Sequence, residues 1–484
     1  MNEPIRRLSM LAALLFTALL VSSTWLQVVG AEAINDRPDN RRTALKNYGQ
    51  ERGQILLGGQ PIARSVPSDD ELQWQRVYAS PETYAHITGY YSFEYGAGGG
   101  LEGAANSLLS GTDDTLFYGR VSDILSGKAS KGASLELTID PQAQRAAKEA
   151  LGDQRGAVVA MDPRTGAILA MYSSPTYSPT PLVSHEQGTA AKAWESLNAD
   201  SSRPLVNRAI GGNLYPPGSV FKVVTAAAAI ESGDYDKSSS IPGPAVLDLP
   251  QTDVGLPNSH PGACGPNDRV TLAVAMQDSC NTAFGWLGME LGGDTVGDQA
   301  SKFGFGDKLE IPMDVTPSTF PTGLNPPQEA QSAIGQYDVR VTPLQVAMMS
   351  SAVANDGVVM RPYVVERVQG DDLSVISDTK PEQLSRAIDP ETATELTDMM
   401  KLVVERGTGT QAAVPGTSVA GKTGTAEHAE GAAPHAWFTG FAPADNPKVA
   451  VAVVVEDGGR AGNEAYGGSV AGPISAAVMK AVLE

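Results

Sequence analysis

The sequence predicts a mixed α/β fold in which strands from distant parts of the chain close into one sheet, with helices between them. Three observations carry that reading. The stretch GAVVAMDPRTGAILAMYSS (156–174) sets two apolar runs around Asp162-Pro163-Arg164-Thr165-Gly166, the pattern of a β-hairpin. Late in the chain VAGKTGTAE, HAWFTGFAPA and PKVAVAVVVEDGG read as successive strands, the last a long apolar run typical of a buried one. Between these ends lie helical segments at 219–231, 270–292 and 343–355.

Composition fits a folded protein: 42% of residues are apolar and 19% charged. The 484 residues suffice for about three domains. With 35 basic and 55 acidic residues the net charge is -20, and no strong basic run occurs, which argues against nucleic-acid binding. From the N-terminus, Arg6 and Arg7 precede a charge-free span of 24 residues that ends before Glu32. A bilayer needs about 20 apolar residues. A signal anchor fits, and so does a cleaved signal ending at Ala31-Glu32-Ala33. Arg37, Arg41 and Arg42 follow the span. Either reading exports everything after about residue 33.

Residues 31 to about 150 read as a small irregular module with a few strands. LELTIDPQAQRAAKEAL (135–151) is a strand followed by a helix that starts at Asp140-Pro141. The segment 270–292 is helical but interrupted near Asp278-Ser279, and SVAGPISAAVMKAVL closes the chain as a helix. No Cys/His grouping has zinc-ligand spacing, and the chain implies no cofactor. The two cysteines, Cys264 and Cys280, can pair in an exported protein, and a bond would pin the loop at Cys280; bonded and free states both stay open.

YPPGSVFKVVTAAAAI (215–230) raises the chemical question. Pro216, Pro217 and Gly218 end one structure and the alanines begin a helix, so Ser219 lies near a helix N-terminus. Ser219 is then either a cap with Lys222 a surface residue, or a nucleophile with Lys222 its base, since i and i+3 share a face. Gly416 to Thr423 also matches the phosphate-loop pattern G-x-x-x-x-G-K-T. That loop must follow a strand and open a helix. Here Pro415 precedes it, and Gly424, Thr425, Gly431 and Pro434 work against a following helix.

The same residues fit a second pattern. Ser219-Val220-Phe221-Lys222, Ser279-Cys280-Asn281 and Lys422-Thr423-Gly424 occur in the order S-x-x-K, S-x-N, K-T-G. With RGQIL (52–56), GLEGAANSLLSG, LTIDPQAQ, PLVNRA, TPLQVA and HAWFTGFAP, the chain resembles the class B penicillin-binding proteins along nearly its full length. It is most similar to the actinobacterial penicillin-binding protein A group. GQYDVRVTP (335–343) departs from the usual pattern, in a supporting segment.

The resemblance implies a penicillin-binding/β-lactamase-like transpeptidase domain, with a mainly antiparallel sheet between helices, over residues 151–484. It implies a small N-terminal pedestal over 34–150 and a tail and anchor helix over 1–33. The activity implied is a peptidoglycan D,D-transpeptidase acting on stem peptides and acylated by β-lactams. Ser219 would be the nucleophile, Lys222 its neutral base and Ser279 the proton relay. Asn281 would hold the substrate amide, and Lys422 and Thr423 the terminal carboxylate. Gly424 would let the substrate backbone lie close, and the N–H groups of Ser219 and Thr425 would form the oxyanion hole. His428 and His435 are assigned structural roles, and Trp437 and Phe438 core or cleft wall. The expected partners are a membrane glycan polymerase and division or elongation proteins, at the plasma membrane. A β-lactamase would need a base for deacylating water that no motif supplies. A penicillin sensor would need several membrane spans.

Overall fold

The computed structural model describes residues 3–28, 48–117, 131–212, 214–372, 374–429 and 431–484. The sequence Ala31-Glu32-Ala33 and Arg37, Arg41 and Arg42 lie outside them. The first element is a helix, Glu3–Val28, of which Glu3–Gln27 is long and apolar enough to cross a membrane.

Five strands form the sheet that carries the site: β1 (Gly156–Met161), β2 (Ile168–Ser174), β3 (Ala420–Ala426), β4 (His435–Ala442) and β5 (Val449–Val455). Their spatial order is β3-β4-β5-β1-β2, and every pairing is antiparallel. The apolar run of β5 is explained by its central place. Ala450, Ala452 and Val454 face one core, while Val449, Val451, Val453 and Val455 face another. On the first face lie the helices Lys222–Glu231, Pro343–Ala354 and Pro390–Glu405. On the second lie Pro141–Leu151 and the C-terminal helix Gly467–Leu483. The outcome of this order is that β3 stands at an edge, with one side free of any strand among the described residues.

The N-terminal module is built differently from the expectation. Its six-stranded sheet runs, edge to edge, through Val375–Asp378, Val365–Gln369, Ser134–Leu137, Ile55–Leu57, Gln60–Pro67 and Trp74–Tyr78. Two of those strands, Val365–Gln369 and Val375–Asp378, come from far beyond residue 150, so the sheet draws on residues outside 34–150. The helix Pro141–Leu151, on the pedestal side of a boundary at 150, packs Ala143, Ala147 and Leu151 against β1 and the C-terminal helix. Asp140 caps it by accepting from Gln142 N and Ala143 N.

A buried ion cluster fills the module. Glu102 Oε2 accepts from Arg52 Nε at 2.6 Å and its Oε1 from Arg76 Nε at 2.6 Å. Arg52 also donates to Asn106 Oδ1 and stacks on the Tyr91 ring at 4.1 Å. Burial pushes the Glu102 carboxyl up, but the guanidiniums of Arg76 and Arg52 outweigh that and hold it below the usual range.

Candidate active site

Segments distant in sequence meet at one cleft beside the free edge of β3. The nucleophile turn is a 3-10 segment, Gly218–Phe221, leading into the helix Lys222–Glu231. Gly218 has φ +55, and a Cβ there would lie 2.6 Å from the Thr425 carbonyl, so only glycine fits. Its N–H donates to Gly335 O at 2.9 Å, and Trp437 Nε1 donates to Pro216 O at 3.1 Å. The turn is thus held from three sides.

Ser219 does not cap the helix. Phe221 occupies the cap position without a side-chain bond, and among the described residues Ser219 Oγ has no hydrogen-bond partner. It lines the cleft instead. The surface reading of Lys222 also fails, because its side chain is fully buried.

The second motif comes from the break between the helices Leu272–Gln277 and Asn281–Leu291. Ser279 takes φ +58, a left-handed conformation that costs a non-glycine residue roughly 1–2 kcal/mol. Hydrogen bonds from Ser279 N to Met276 O and from Cys280 N to Ala275 O hold it. Cys280 is joined to Cys264 in a disulfide, which ties the residue after Ser279 to the 264 segment.

Three hydrogen bonds of Lys222 Nζ run to this motif: to Ser279 O at 2.8 Å, Ser279 Oγ at 3.3 Å and Asn281 Oδ1 at 2.7 Å. Lys422 Nζ donates to Ser279 Oγ at 2.8 Å and to Thr423 O at 2.9 Å. The Ser279 hydroxyl therefore stands between two buried amines. Burial drives the Lys222 amine well below its ordinary value, and Lys422 adds to the fall. Burial alone lowers Lys422 to about 7.

Lys422, Thr423, Gly424 and Thr425 lie on β3, which rules out a phosphate loop: the chain continues to β4, not into a helix. Thr425 O lies against Gly218, so Thr425 turns its backbone groups away from β4. In a strand a residue's N–H and C=O share one edge. The Thr425 N–H therefore faces the nucleophile turn. Gly424 also answers a packing constraint. A Cβ there would sit 3.0 Å from Pro217 O, Val220 Cγ1 and Trp437 Cβ, so its bareness lets the nucleophile turn approach the strand.

Some residues in the cleft and behind it escaped sequence reasoning. Thr408 Oγ1 bonds Thr423 Oγ1 at 2.6 Å and orients it. Tyr215 OH donates to Glu456 Oε1 at 2.7 Å, and Arg208 Nε donates to the same atom at 2.7 Å, which braces the chain entering the nucleophile turn. Each joins segments hundreds of residues apart or lies in a glycine-rich loop without a motif. Trp437 and Phe438 are fully buried in β4, as core.

Comparison with known proteins gives a consistent picture. Residues 156–480 match the penicillin binding protein transpeptidase domain. Residues 52–135 match the penicillin binding protein A dimerisation domain. The chain is 43% identical to the peptidoglycan D,D-transpeptidase PbpA of Mycolicibacterium smegmatis, over 100% of this chain and 99% of that protein. It is 41% identical to the protein of that name from Mycobacterium tuberculosis, over 100% and 99%. Among solved structures, the penicillin G acyl-enzyme complex of M. tuberculosis penicillin-binding protein A superposes with a TM-score of 0.85 at 40% identity, covering 90% of this chain and 100% of that one.

Proposed function

The chain belongs to the penicillin-binding protein transpeptidase family, and on that premise we propose how its residues divide the work of a serine D,D-transpeptidase. Such an enzyme cross-links peptidoglycan stem peptides through an acyl-enzyme and is acylated by β-lactams. The observation that carries the assignment is the convergence of Ser219, Lys222, Ser279 and Lys422 on one cleft, with the Ser279 hydroxyl between two amines.

An alcohol becomes a competent nucleophile only when a base takes its proton. Lys222 serves as that base because burial and Lys422 favour its neutral form. A neutral amine has two N–H groups, which Ser279 O and Asn281 Oδ1 accept, and one lone pair. Among the described residues Ser219 Oγ has no competing hydrogen bond, and it gives its proton to Lys222 as it attacks the carbonyl between the two D-alanines. The backbone N–H groups of Ser219 and Thr425 hold the oxyanion, each worth about 3 kcal/mol. The proton then passes through Ser279 Oγ to the departing D-alanine nitrogen. Lys422 and Thr423 hold the terminal carboxylate, and Asn281 the donor amide. The free edge of β3 takes an extended peptide as an added strand. The amine of a second stem peptide resolves the ester, forms the new amide and returns a proton to Ser219.

The helix Glu3–Val28 supports a single-pass anchor, with the rest of the chain outside the plasma membrane. In this reading the N-terminal module is a pedestal that meets a membrane glycan polymerase and division or elongation proteins.

Purified full-length chain in detergent, given a donor peptide ending in D-Ala-D-Ala and an acceptor peptide with a free side-chain amine, is expected to release D-alanine and form a cross-linked dimer. Penicillin G should stop the reaction and add its mass to the peptide containing Ser219. Turnover of penicillin with no cross-linked product would contradict the assignment in favour of a β-lactamase.

A further inference from the structure

The segment GQYDVRVTP (335–343) has no part in the chemistry above, yet it backs the nucleophile turn. Together with Ala333 it touches the nucleophile segment at three points. Thr225 Oγ1 donates to Ala333 O at 2.7 Å, Gly218 N donates to Gly335 O at 2.9 Å, and Tyr215 and Val341 exchange backbone bonds at 3.0 and 2.8 Å. Gly335 has φ +77, and a Cβ there would lie 2.1 Å from Gly218 O. Gly335 therefore presses on the carbonyl end of the peptide group whose other end is the Ser219 N–H. In a trans peptide these two ends point opposite ways, so that N–H faces away from Gly335. The next side chain reaches the other wall of the cleft. Gln336 turns its amide to the main chain of Glu427: the amide nitrogen donates to Glu427 O and the amide oxygen accepts from Glu427 N, each at 3.1 Å. Glu427 lies two residues past Thr425 and one past the end of β3, so its backbone groups leave by the same edge as those of Thr425. The chain bends hard to allow this, because Tyr337 takes φ +57, a conformation strained for a residue with a side chain. The Tyr337 hydroxyl accepts from Gln328 Nε2 at 3.0 Å and its carbonyl from Arg340 Nη1 at 2.8 Å, which hold the corner.

We propose, resting on the transpeptidase reading above, that Gln336 is a positioning residue for acylation: it sets the gap between the two halves of the oxyanion hole, the N–H groups of Ser219 and Thr425. Gly335 and Gln336 form a strut between the cleft walls. One end is bonded to the residue before Ser219, the other to the chain just past Thr425. An oxyanion hole stabilises charge only when its donors stand about 2.7–3.1 Å from the oxygen that develops it. Here the two donors belong to separate elements, so a tie between those elements decides the fit. An amide suits the task. It offers a donor and an acceptor side by side, which match the C=O and N–H of Glu427, and it adds no charge beside the developing anion. A carboxylate of the same shape can only accept, and would face Glu427 O. Lys422 and Thr423, which hold the terminal carboxylate, come before Thr425 on β3, whereas Glu427 comes after it. Ground-state binding therefore does not run through Gln336, and the strut acts on the attack.

The test follows acylation of the full chain in detergent by penicillin G in stopped flow, which separates the half-saturating concentration from the maximal rate. Gln336→Ala is expected to lower the maximal rate about tenfold, part of what a whole oxyanion donor is worth, and to leave the half-saturating concentration within about twofold of wild type. Gln336→Glu keeps the shape of the side chain and loses its donor, so at neutral pH it should be as slow as the alanine variant. A residue that merely fills space would keep the wild-type rate in that variant. Circular dichroism and the melting temperature report the fold of both, and if alanine loosens it, the glutamate variant carries the comparison. Maximal rates within about threefold of wild type, or a raised half-saturating concentration at an unchanged maximal rate, would overturn the role of Gln336 alone. A wild type that penicillin does not acylate would overturn the transpeptidase reading, and this role with it.

Discussion

Lys222→Ala and Lys222→Arg are both expected to slow acylation of Ser219 by penicillin G by about 10²- to 10⁴-fold, the usual contribution of a positioned general base. The arginine variant is the sharper of the two. It keeps a cation near Ser279 and Asn281, but a guanidinium stays protonated at any accessible pH. If Lys222 worked only as a positive charge, whether beside Ser279 or over the Phe284 ring, arginine would retain much of the rate. If it works as a base, arginine is as inactive as alanine. Circular dichroism of both variants separates lost chemistry from lost fold. A Lys222→Arg protein within tenfold of the wild-type acylation rate would remove the lysine from the base role.

Glu102→Gln should destabilise the N-terminal module by about 3–5 kcal/mol, the range found when one partner of a buried ion pair is removed. Glu102 is the one carboxylate facing both Arg52 and Arg76, and all three side chains are nearly inaccessible. An amide preserves the shape and leaves two buried guanidiniums without a counter-charge. Arg76 Nη2 already lacks a partner, so the cluster has no spare acceptor to recruit. The change is read by thermal melting of the full chain, with penicillin labelling as a separate measure of the catalytic domain. An unchanged melting temperature would mean that the cluster is not what holds the module.

The contrast between these two sites shows what a sequence discloses. Ser219, Lys222, Ser279 and Lys422 were legible because each belongs to a short motif whose spacing has a chemical reason. The hairpin of β1 and β2 and the strands β3 to β5 were legible because apolar runs and turn residues are local signals. Arg52, Arg76 and Glu102 were not, since no spacing joins three charges drawn from separate elements. The strands that the N-terminal sheet takes from beyond residue 360 were not legible for a related reason. Ser134–Leu137 pairs with Val365–Gln369 across more than two hundred residues, and nothing in either strand names its partner. Gly424 was identified by its motif, but its closeness to Pro217 O and Val220 was not legible, because only the packed turn shows it. The left-handed Ser279 was invisible too: serine has no intrinsic preference for that conformation, and the tertiary structure imposes it.

The central claim concerns the protonation of two buried amines, and the pH dependence of the second-order acylation rate with penicillin G tests it most directly. Lys222 must be neutral, so the rate should fall as pH drops through its lowered pKa, far below the ordinary lysine value of about 10.4. Lys422 must be charged to hold the β-lactam carboxylate, so the rate should fall again as pH rises beyond its own value of about 7. The account predicts a bell whose limbs belong to the coupled pair. A rate that climbs steadily to a single inflection near pH 10 would show that Lys222 is an ordinary ammonium in the resting enzyme, and would contradict the account.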